Sequence, residues 1–159
     1  MSEQKAIVVG VDGSEAAEHA LVWALDEALI RGCAVKAVRV WNFEPMSDWV
    51  PTTLQEVRKH AVEALAEAVR TAVAGRPVAP PVEQVTVEGD AAGELVRVAS
   101  DAALLVVAGH RGEHLRKVVL GSVSAACVRR SRVPVVVLPP RIEWAAAAED
   151  AEDAEKTSA

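Results

Sequence analysis

The sequence predicts an α/β protein: one open, parallel, five-stranded sheet with helices on both faces. Short, continuously apolar runs alternate along the chain with amphipathic stretches, in the order β-α-β-α-β-α-β-α-β. Strands that are apolar at consecutive positions are typical of a parallel sheet, which is buried on both sides by its crossover helices. The 159 residues suit one domain and contain no internal repeat. We therefore expect a single domain at residues 1–141, followed by an acidic, alanine-rich tail at 142–159 that is flexible.

The first strand is predicted at Lys5–Val11 (KAIVVGV), and it ends in an Asp12-Gly13 turn. Ser14 is placed to cap the helix that follows, because a serine hydroxyl can accept a hydrogen bond from a free amide of the first turn. Apolar residues then recur at helical spacing as far as Gly32, which is suited to a left-handed helix cap.

The second strand is predicted at Ala34–Trp41, and the second helix begins at a capping box, Thr53–Glu56 (TLQE), and ends at Gly75. The loop at 42–51 joins them and contains Trp49. This loop could close over a ligand at the edge of the sheet, and a tethered connection with its tryptophan partly buried is the alternative.

The remaining chain continues the same alternation. The expected elements are strands at Val82–Val87, Leu104–Ala108 and Val133–Leu138, with helices at 92–102 and 122–130. Asp90 can cap the third helix, Ser122 starts the fourth, and Pro139-Pro140 stops the last strand.

The composition excludes several classes of function. The net charge is −6 and the pI about 5.2, which argues against binding to duplex nucleic acid. With no tyrosine and Phe43 as the single phenylalanine, a stacking platform for single strands is not expected either. No apolar run approaches the roughly 20 residues of a membrane span. The N-terminus lacks the pattern of a signal peptide, and Cys33 and Cys127 are interpreted as ordinary reduced thiols, so we expect a cytoplasmic protein.

The segment 109–124, GHRGEHLRKVVLGSVS, is the strongest candidate for a functional site. It joins a buried strand to the start of a helix, where free amides and the helix dipole attract anions. Gly109, Gly112 and Gly121 would let the main chain approach a phosphate closely, and the hydroxyls of Ser122 and Ser124 could donate to it. Such a phosphate site would lack a Walker lysine, since neither GxxxxGK[ST] nor GxGxxG is present. The alternative is two ordinary turns and a helix cap, because glycine and serine are common where a strand connects to a helix.

Two stretches resemble the universal stress protein family: KAIVVGVDGSEAAEHALVWAL, and GHRG…GSVS followed by VPVVVL. The resemblance spans residues 5–139 and implies a Rossmann-like fold of the adenine nucleotide alpha-hydrolase type. In the ATP-binding branch of the family, the signature G-x2-G-x9-G-[ST] holds the ribose and phosphates of ATP. The resemblance therefore implies an ATP-binding site, with Mg²⁺ as a possible companion and cyclic AMP as the alternative ligand.

The family's binding residues are carried over by position. Gly109, Gly112, Gly121 and Ser122 match the signature, Val123 and Ser124 lie beside it, Asp12 matches the acid that contacts the adenosine, and Val40 matches the position whose main chain reads adenine. His110 and Arg111 are candidate phosphate contacts, with simple solvent exposure as the alternative. Between Gly112 and Gly121 stand eight residues instead of nine, which could shift a phosphate contact by up to about 3.3 Å.

Three functions remain open at this stage. The first is a regulatory nucleotide-binding protein, and the second is a nucleotide-free, dimeric interaction module of the same fold. The third is an enzyme such as a weak ATPase, but no acid, base and nucleophile cluster in the sequence and GxSxG is absent. His110 and His114 lack a third ligand for a metal site. The resemblance also implies a homodimer formed through the last strand, Val133–Leu138, an apolar strand expected at a sheet edge.

Overall fold

Five parallel strands, four helices and one short hairpin make up the part of the chain that the structure describes. The computed structural model describes residues 4–43, 53–111 and 118–140. The strands are β1 (Ile7–Gly10), β2 (Val35–Trp41), β3 (Val82–Glu88), β4 (Leu104–Ala108), β5 (His110–Arg111), β6 (Val118–Val119) and β7 (Val135–Leu138). The helices are α1 (Glu15–Arg31), α2 (Leu54–Val73), α3 (Ala91–Val98) and α4 (Ser122–Arg130).

The main sheet has the order β3-β2-β1-β4-β7, and all of its pairings are parallel. The chain builds outward from β1 to β3 on one side, then returns to add β4 and β7 on the other. The switch point therefore lies between β1 and β4, where ligands of such sheets bind beyond the carboxyl ends of the strands. The predicted α/β class, the five parallel strands and the edge position of the last strand are confirmed.

Helices cover both faces of this sheet, as predicted. On one face α1 and α2 bury the side chains of Ile7 and Val9, and on the other α3 and α4 bury those of Val8 and Leu105. Consecutive residues of β1 and β4 thus enter different clusters, because side chains alternate along a strand. This explains why both strands are apolar at every position.

The helix starts predicted at Ser14, Thr53 and Asp90 are confirmed. Each side chain accepts a hydrogen bond from the N–H three residues further on, at 2.8 to 3.2 Å. The carboxylate of Glu56 completes the capping box by accepting from the N–H of Thr53 at 2.7 Å, and this bond lowers the pKa of Glu56. Gly32 ends α1 in the left-handed region, at φ +66°.

Several predicted boundaries are wrong. β1 is shorter than Lys5–Val11 at both ends, α3 ends at Val98 instead of residue 102, and β7 begins at Val135 instead of Val133, whereas β2, β3 and the start of α3 each differ by one residue. After α3, tight turns replace the helix because the N–H of Ala103 must reach the carbonyl of Ala6, at 2.8 Å, to bring β4 beside β1.

The hairpin of β5 and β6 was not predicted. It lies inside the glycine segment, where His110 pairs with Val119 and Arg111 with Val118 in antiparallel register. Strands of two residues are too short to show alternation. The tip at 112–117, with Gly112 and His114, lies outside the described residues, as do 44–52 and the tail from residue 141.

The two cysteines are buried and free, on opposite faces of the sheet. Cys33 belongs to the cluster under α1 and α2, and Cys127 to the cluster under α3 and α4. Burial raises the pKa of the Cys127 thiol. Both side chains therefore have the properties of the ordinary thiols that we expected. Among the described helices, none combines the length and apolar character needed to cross a membrane.

Arg76 ties the end of α2 to α1. Its guanidinium donates to the Asp26 carboxylate at 2.7 Å and to the carbonyls of Val22 and Ala72 at 3.3 and 2.9 Å. The Ala72 carbonyl lies in the last turn of α2, where carbonyls have no partner within the helix. The Arg76 side chain is 17% exposed, whereas that of Asp26 is 58% exposed.

We expect Arg76→Ala to lower the free energy of unfolding by about 1–2 kcal/mol, a range that discounts the ion pair for the exposure of Asp26. Urea titration measures the loss. Arg31→Ala is the control, because the Arg31–Glu27 pair joins two residues of α1 and the Arg31 side chain is 46% exposed, so its loss should stay under about 0.5 kcal/mol. Equal losses in the two variants would contradict the assignment of Arg76 as the link between the helices.

Candidate functional site

A cleft of about 150 Å³ opens at the carboxyl ends of β1, β2 and β4, at the switch point of the sheet. Its walls come from these strand ends and from the first turns of α1, α3 and α4. The lining residues are Gly10, Val11, Asp12, Ser14, Ala16, Ala17, Val38, Val40, Ala91, Leu95, Val107, Ala108, Gly109, His110, Val123 and Ser124. Most of them are apolar, and the polar groups stand at two separate places.

The apolar wall is formed by β2 and α3. Val38, Leu95 and Val107 are buried and belong to the core cluster under α3 and α4, with Val40 packed against it. A Cβ added at Gly10 would lie 3.1 Å from Cδ1 of Leu95, so the glycine lets Leu95 lie directly against the end of β1. The result is an apolar slot suited to a flat ring system.

The main chain of Val40 supplies a donor and an acceptor at the rim of this slot. β1 pairs with β2 only as far as Gly10 and Val38, and the last bond joins the N–H of Val11 to the Val38 carbonyl at 2.8 Å. The N–H and C=O of one strand residue point to the same side and alternate along the strand. Those of Val40 therefore point to the β1 side, like those of Val38, at a level that β1 does not reach.

The main-chain polar groups of the next residue point in the opposite direction, as this orientation of Val40 requires. The carbonyl of Trp41 accepts from the N–H of Gly89 at 3.0 Å, on the β3 side of β2. Val40, one residue earlier, must present its polar groups to the other side, which is the cleft. The strand thus presents one N–H donor and one C=O acceptor, side by side, to a ligand. No hydrogen bond between strands is lost by this.

Asp12 and Ser14 form the polar group at the end of β1. Oδ1 of Asp12 accepts from the N–H of Ser14 at 2.8 Å and from its hydroxyl at 2.6 Å. The turn between them needs Gly13, whose φ is +88°, and the guanidinium of Arg39 lies 3.2 Å from where a Cβ would be. Asp12 therefore positions the residue that caps α1, and its exposed carboxylate faces the cleft.

Three helices begin at the cleft, and they differ in their caps. Ser14 caps α1 and Asp90 caps α3, whereas the N-cap of α4 is Gly121, which makes no side-chain hydrogen bond. The first amides of α4 have no partner within the helix and stand at the positive end of its dipole. This end of the cleft therefore has no side-chain cap competing with an anion for the first main-chain donors.

Ser124 and Ser122 occupy different positions in the first turn of α4. Ser124 is 2% exposed, and its hydroxyl donates to the Gly121 carbonyl at 3.1 Å. The hydroxyl proton is therefore used in a hydrogen bond within the helix, and the hydroxyl oxygen can still accept a hydrogen bond. Ser122 is exposed at the first position of the helix.

Gly121 lies in close contact with the ring of His110. Its φ of −69° and ψ of 172° are open to any residue, so the reason for glycine is steric. A Cβ at this position would overlap Cδ2 of His110 and lie 2.6 Å from Nε2, closer than side chains approach. The His110 ring thus takes the space that a side chain at the N-cap would fill.

The structure gathers most of the residues singled out from the sequence. Those lining the cleft are Asp12, Val40, Gly109, His110, Val123 and Ser124. Gly121 and Ser122 stand beside it at the start of α4, Arg111 lies in β5, and Gly112 lies outside the described residues. His60 is exposed on α2 and His19 half-buried on α1, and neither lines the cleft.

Sequence reasoning missed the contribution of α3. Ala91 and Leu95 line the cleft, and Leu95 forms much of the apolar wall. The signal was present: Asp90 marks a helix start after the third strand, and all helices that follow parallel strands begin at the same edge of the sheet.

Charges are few at this cleft. Among its described lining residues, Asp12 and His110 are the ones with ionisable side chains. Within residues 4–43, 53–111 and 118–140, no three histidine, cysteine, aspartate or glutamate side chains come together as a metal site requires.

Comparison with known proteins gives one consistent family. The model described as the universal stress protein family matches residues 4–139. The universal stress protein Rv2005c of Mycobacterium tuberculosis is 35% identical over 131 residues, 82% of this chain and 44% of that protein. Its relative Rv2623 from the same organism is 32% identical over 136 residues, 85% and 45% of the two chains. The chain thus spans about half the length of the curated relatives it matches.

Solved structures share the fold. A universal stress protein in complex with cAMP superimposes with a TM-score of 0.62 at 23% identity, covering 88% of this chain and all of the other. One from Archaeoglobus fulgidus in complex with dAMP gives 0.58 at 21% identity, covering 87% and 99%. A family protein from Burkholderia pseudomallei gives 0.57 at 27% identity, covering 89% and 99%.

We expect Asp12→Asn to leave the free energy of unfolding within about 0.5 kcal/mol of wild type, because the amide oxygen can still accept both bonds from Ser14. Asp12→Ala removes that acceptor and weakens the cap of α1, so we expect a loss of about 1 kcal/mol. Thermal or urea unfolding of the two variants measures the difference. Equal stability of both variants would show that the Asp12–Ser14 contact does not support the helix.

Proposed function

The chain belongs to the universal stress protein family, and on that premise we propose that its cleft binds an adenine nucleotide, ATP before cyclic AMP, as a regulatory ligand. One observation carries the proposal: a main-chain donor–acceptor pair, an exposed carboxylate and an uncapped helix start surround one apolar slot. The complexes of related folds with cAMP and dAMP support an adenine nucleotide as the ligand class.

The adenine ring would lie in the slot between Val40 and Leu95. The N–H of Val40 can donate to N1 of adenine, and its carbonyl can accept from the exocyclic amino group. Guanine presents the opposite pattern at these positions, a donor at N1 and an acceptor at O6, so the same main chain would oppose it. A guanine ring would cover the two main-chain groups of Val40 and leave them unpaired, which would weaken the binding of a guanine nucleotide strongly.

The ribose would lie beside Asp12. Oδ1 of this residue is engaged with Ser14, and its second oxygen can accept from a ribose hydroxyl. Asp12→Asn keeps the contact with Ser14 but removes the charge, which separates ligand binding from the support of α1.

The phosphates would lie between Gly109 and the first turn of α4. The free amides of this turn can donate to phosphate oxygens, and Arg111, Arg116 and Lys117 of the hairpin segment add positive charge in the sequence. A triphosphate brings more negative charge than the described lining residues offset, and a bound Mg²⁺ would supply the balance.

A regulatory role is favoured over catalysis. Rapid hydrolysis requires a positioned base and nucleophile at the terminal phosphate. Asp12 is the carboxylate among the described lining residues, and it lies at the ribose end, engaged with Ser14. We therefore propose that the protein hydrolyses a bound nucleotide slowly at most. We also propose that it is cytoplasmic, and that its binding domain spans residues 1–141 with the tail at 142–159 as a separate segment.

The second candidate, a dimeric interaction module, is supported by the contrast between the two edges of the sheet. β3 carries exposed charged residues, Glu83 and Glu88, which discourage edge-to-edge pairing. β7 reads VVVL and carries none. We propose that a second copy of the chain pairs with this edge, so that dimerisation and nucleotide binding are compatible properties of one protein.

Calorimetric titration tests nucleotide binding, with Val123→Asp and Val128→Asp as a matched pair. Val123 lines the cleft in the first turn of α4, whereas Val128 is on the same helix, away from the cleft, and 48% exposed. A carboxylate near a helix start is favourable for folding, but it would repel a phosphate there. We expect Val123→Asp to weaken Mg-ATP and cyclic AMP binding at least tenfold and Val128→Asp to leave it unchanged.

The same titration with Mg-GTP tests the adenine contact, and we expect it to bind at least about a hundredfold more weakly than Mg-ATP. Absence of heat with every adenine nucleotide up to millimolar concentration would overturn the proposal and favour the interaction module. Equal binding of Mg-ATP and Mg-GTP would refute the assignment of Val40.

Sedimentation tests the dimer, with Val137→Pro as the variant. The carbonyls of Pro134 and Leu138 accept bonds from β4, so the N–H of Val137 points away from the sheet. Proline there removes an outward donor and no bond of the sheet, and we expect a monomer. Gln84→Pro does the same on the β3 edge and should remain dimeric. A monomeric wild type at micromolar concentration would exclude the interface.

A further inference from the structure

The contact between His110 and Gly121 has a consequence for the phosphate end of the cleft. The ring of His110 lies so close to Gly121 that a Cβ there would be 2.6 Å from its Nε2. Gly121 is the N-cap of α4, and no side chain caps the free amides that follow it. The ring therefore lies in the space from which an N-cap side chain would reach these amides.

A ring and a phosphate cannot share this space. A phosphate held by the first amides of α4 needs its oxygens about 2.9 Å from those nitrogens, on the open side of the helix end. An N-cap side chain would reach that side from Gly121, and the ring of His110 lies in its place. His110 is exposed, so the ring can turn toward solvent.

We propose that His110 is a specificity-determining residue that blocks the phosphate end of the cleft in the ligand-free protein and must turn away before a phosphate binds. The inference rests on the proposed function for the identity of the ligand, and on the His110–Gly121 contact for the mechanism. Adenosine without a phosphate fits between Val40 and Asp12 and leaves the ring where it is.

The blocking ring acts on affinity through the population of the open state. A ligand that binds only when the ring is displaced has its dissociation constant raised by the inverse of the displaced fraction. If the ring is displaced in about one molecule in ten, nucleotides bind about tenfold more weakly than they would without it. The effect falls on the association rate, because the ring is already displaced in the complex.

The experiment compares wild type with His110→Ala, using cyclic AMP and adenosine as probes. We expect the variant to bind cyclic AMP about tenfold more tightly, through faster association, and to bind adenosine with unchanged affinity. His60→Ala is the control, since His60 is exposed on α2, away from the cleft.

Two results of these titrations overturn the inference. Weaker binding of cyclic AMP to His110→Ala would make the ring a phosphate contact instead of an obstacle. Equal tightening for cyclic AMP and adenosine would mean that the ring obstructs the whole cleft and does not select for the phosphate.

A nuclear Overhauser contact between the His110 ring and the Gly121 Hα protons separates this inference from the proposed function. We expect it in the ligand-free protein and expect inorganic phosphate at millimolar concentration to abolish it. Binding of no adenine compound by any variant would refute the proposed function, and the contact with its response to phosphate would still decide the position of the ring. Absence of the contact in the ligand-free protein overturns the inference whatever the titrations give.

Discussion

The cleft depends on the early separation of β1 from β2. The last bond between them joins Val11 to Val38, and beyond it β1 turns away at Asp12 while β2 continues to Trp41. Beyond that point, every second residue of β2 presents its N–H and C=O to the side on which β1 no longer runs. The slot, the donor–acceptor pair of Val40 and the turn that carries Asp12 all follow from this one divergence. No hydrogen bond between strands is lost as a result, because β2 remains paired with β3 on its other side.

The N-caps of the helices differ between those that stabilise a helix and the one that leaves amides for a ligand. Ser14 and Asp90 each accept a hydrogen bond from one first-turn amide of α1 and α3, whereas α4 has a glycine at the same position. Glycine is itself a favourable N-cap, and a serine or aspartate at residue 121 would stabilise α4 by only about a few tenths of a kcal/mol as a cap. The Cβ of such a residue would overlap the His110 ring, and its side chain would accept from amides that face the cleft. The glycine therefore leaves the first amides of α4 available to a ligand with little loss of helix stability.

Local signals account for what was predictable from the sequence. Ser14, Gly32, the Thr53–Glu56 box and Asp90 act within a few residues, and all four behave as expected. Asp12 and Val40 were found through resemblance, and the structure gives their geometry a physical basis. The contacts of Leu95 with Gly10 and of His110 with Gly121 could not be predicted, because each joins elements whose separation in the chain carries no pattern. The predicted end of α3 was wrong for a related reason, because the helix ends early so that the N–H of Ala103 can reach the carbonyl of Ala6.

The hairpin gives the glycine segment a paired base. Eight residues stand between Gly112 and Gly121 where the family signature has nine. In this chain His110 pairs with Val119 and Arg111 with Val118, directly beside Gly109 and Gly121. Because the register of such a pair fixes its two strands relative to each other, the spacing of Gly109 and Gly121 is set by the base of the hairpin and not by the full length of the segment. The first turn of α4 follows this base directly, at Ser122. A phosphate held by that turn therefore depends on the pairing at the base more than on the number of residues between Gly112 and Gly121.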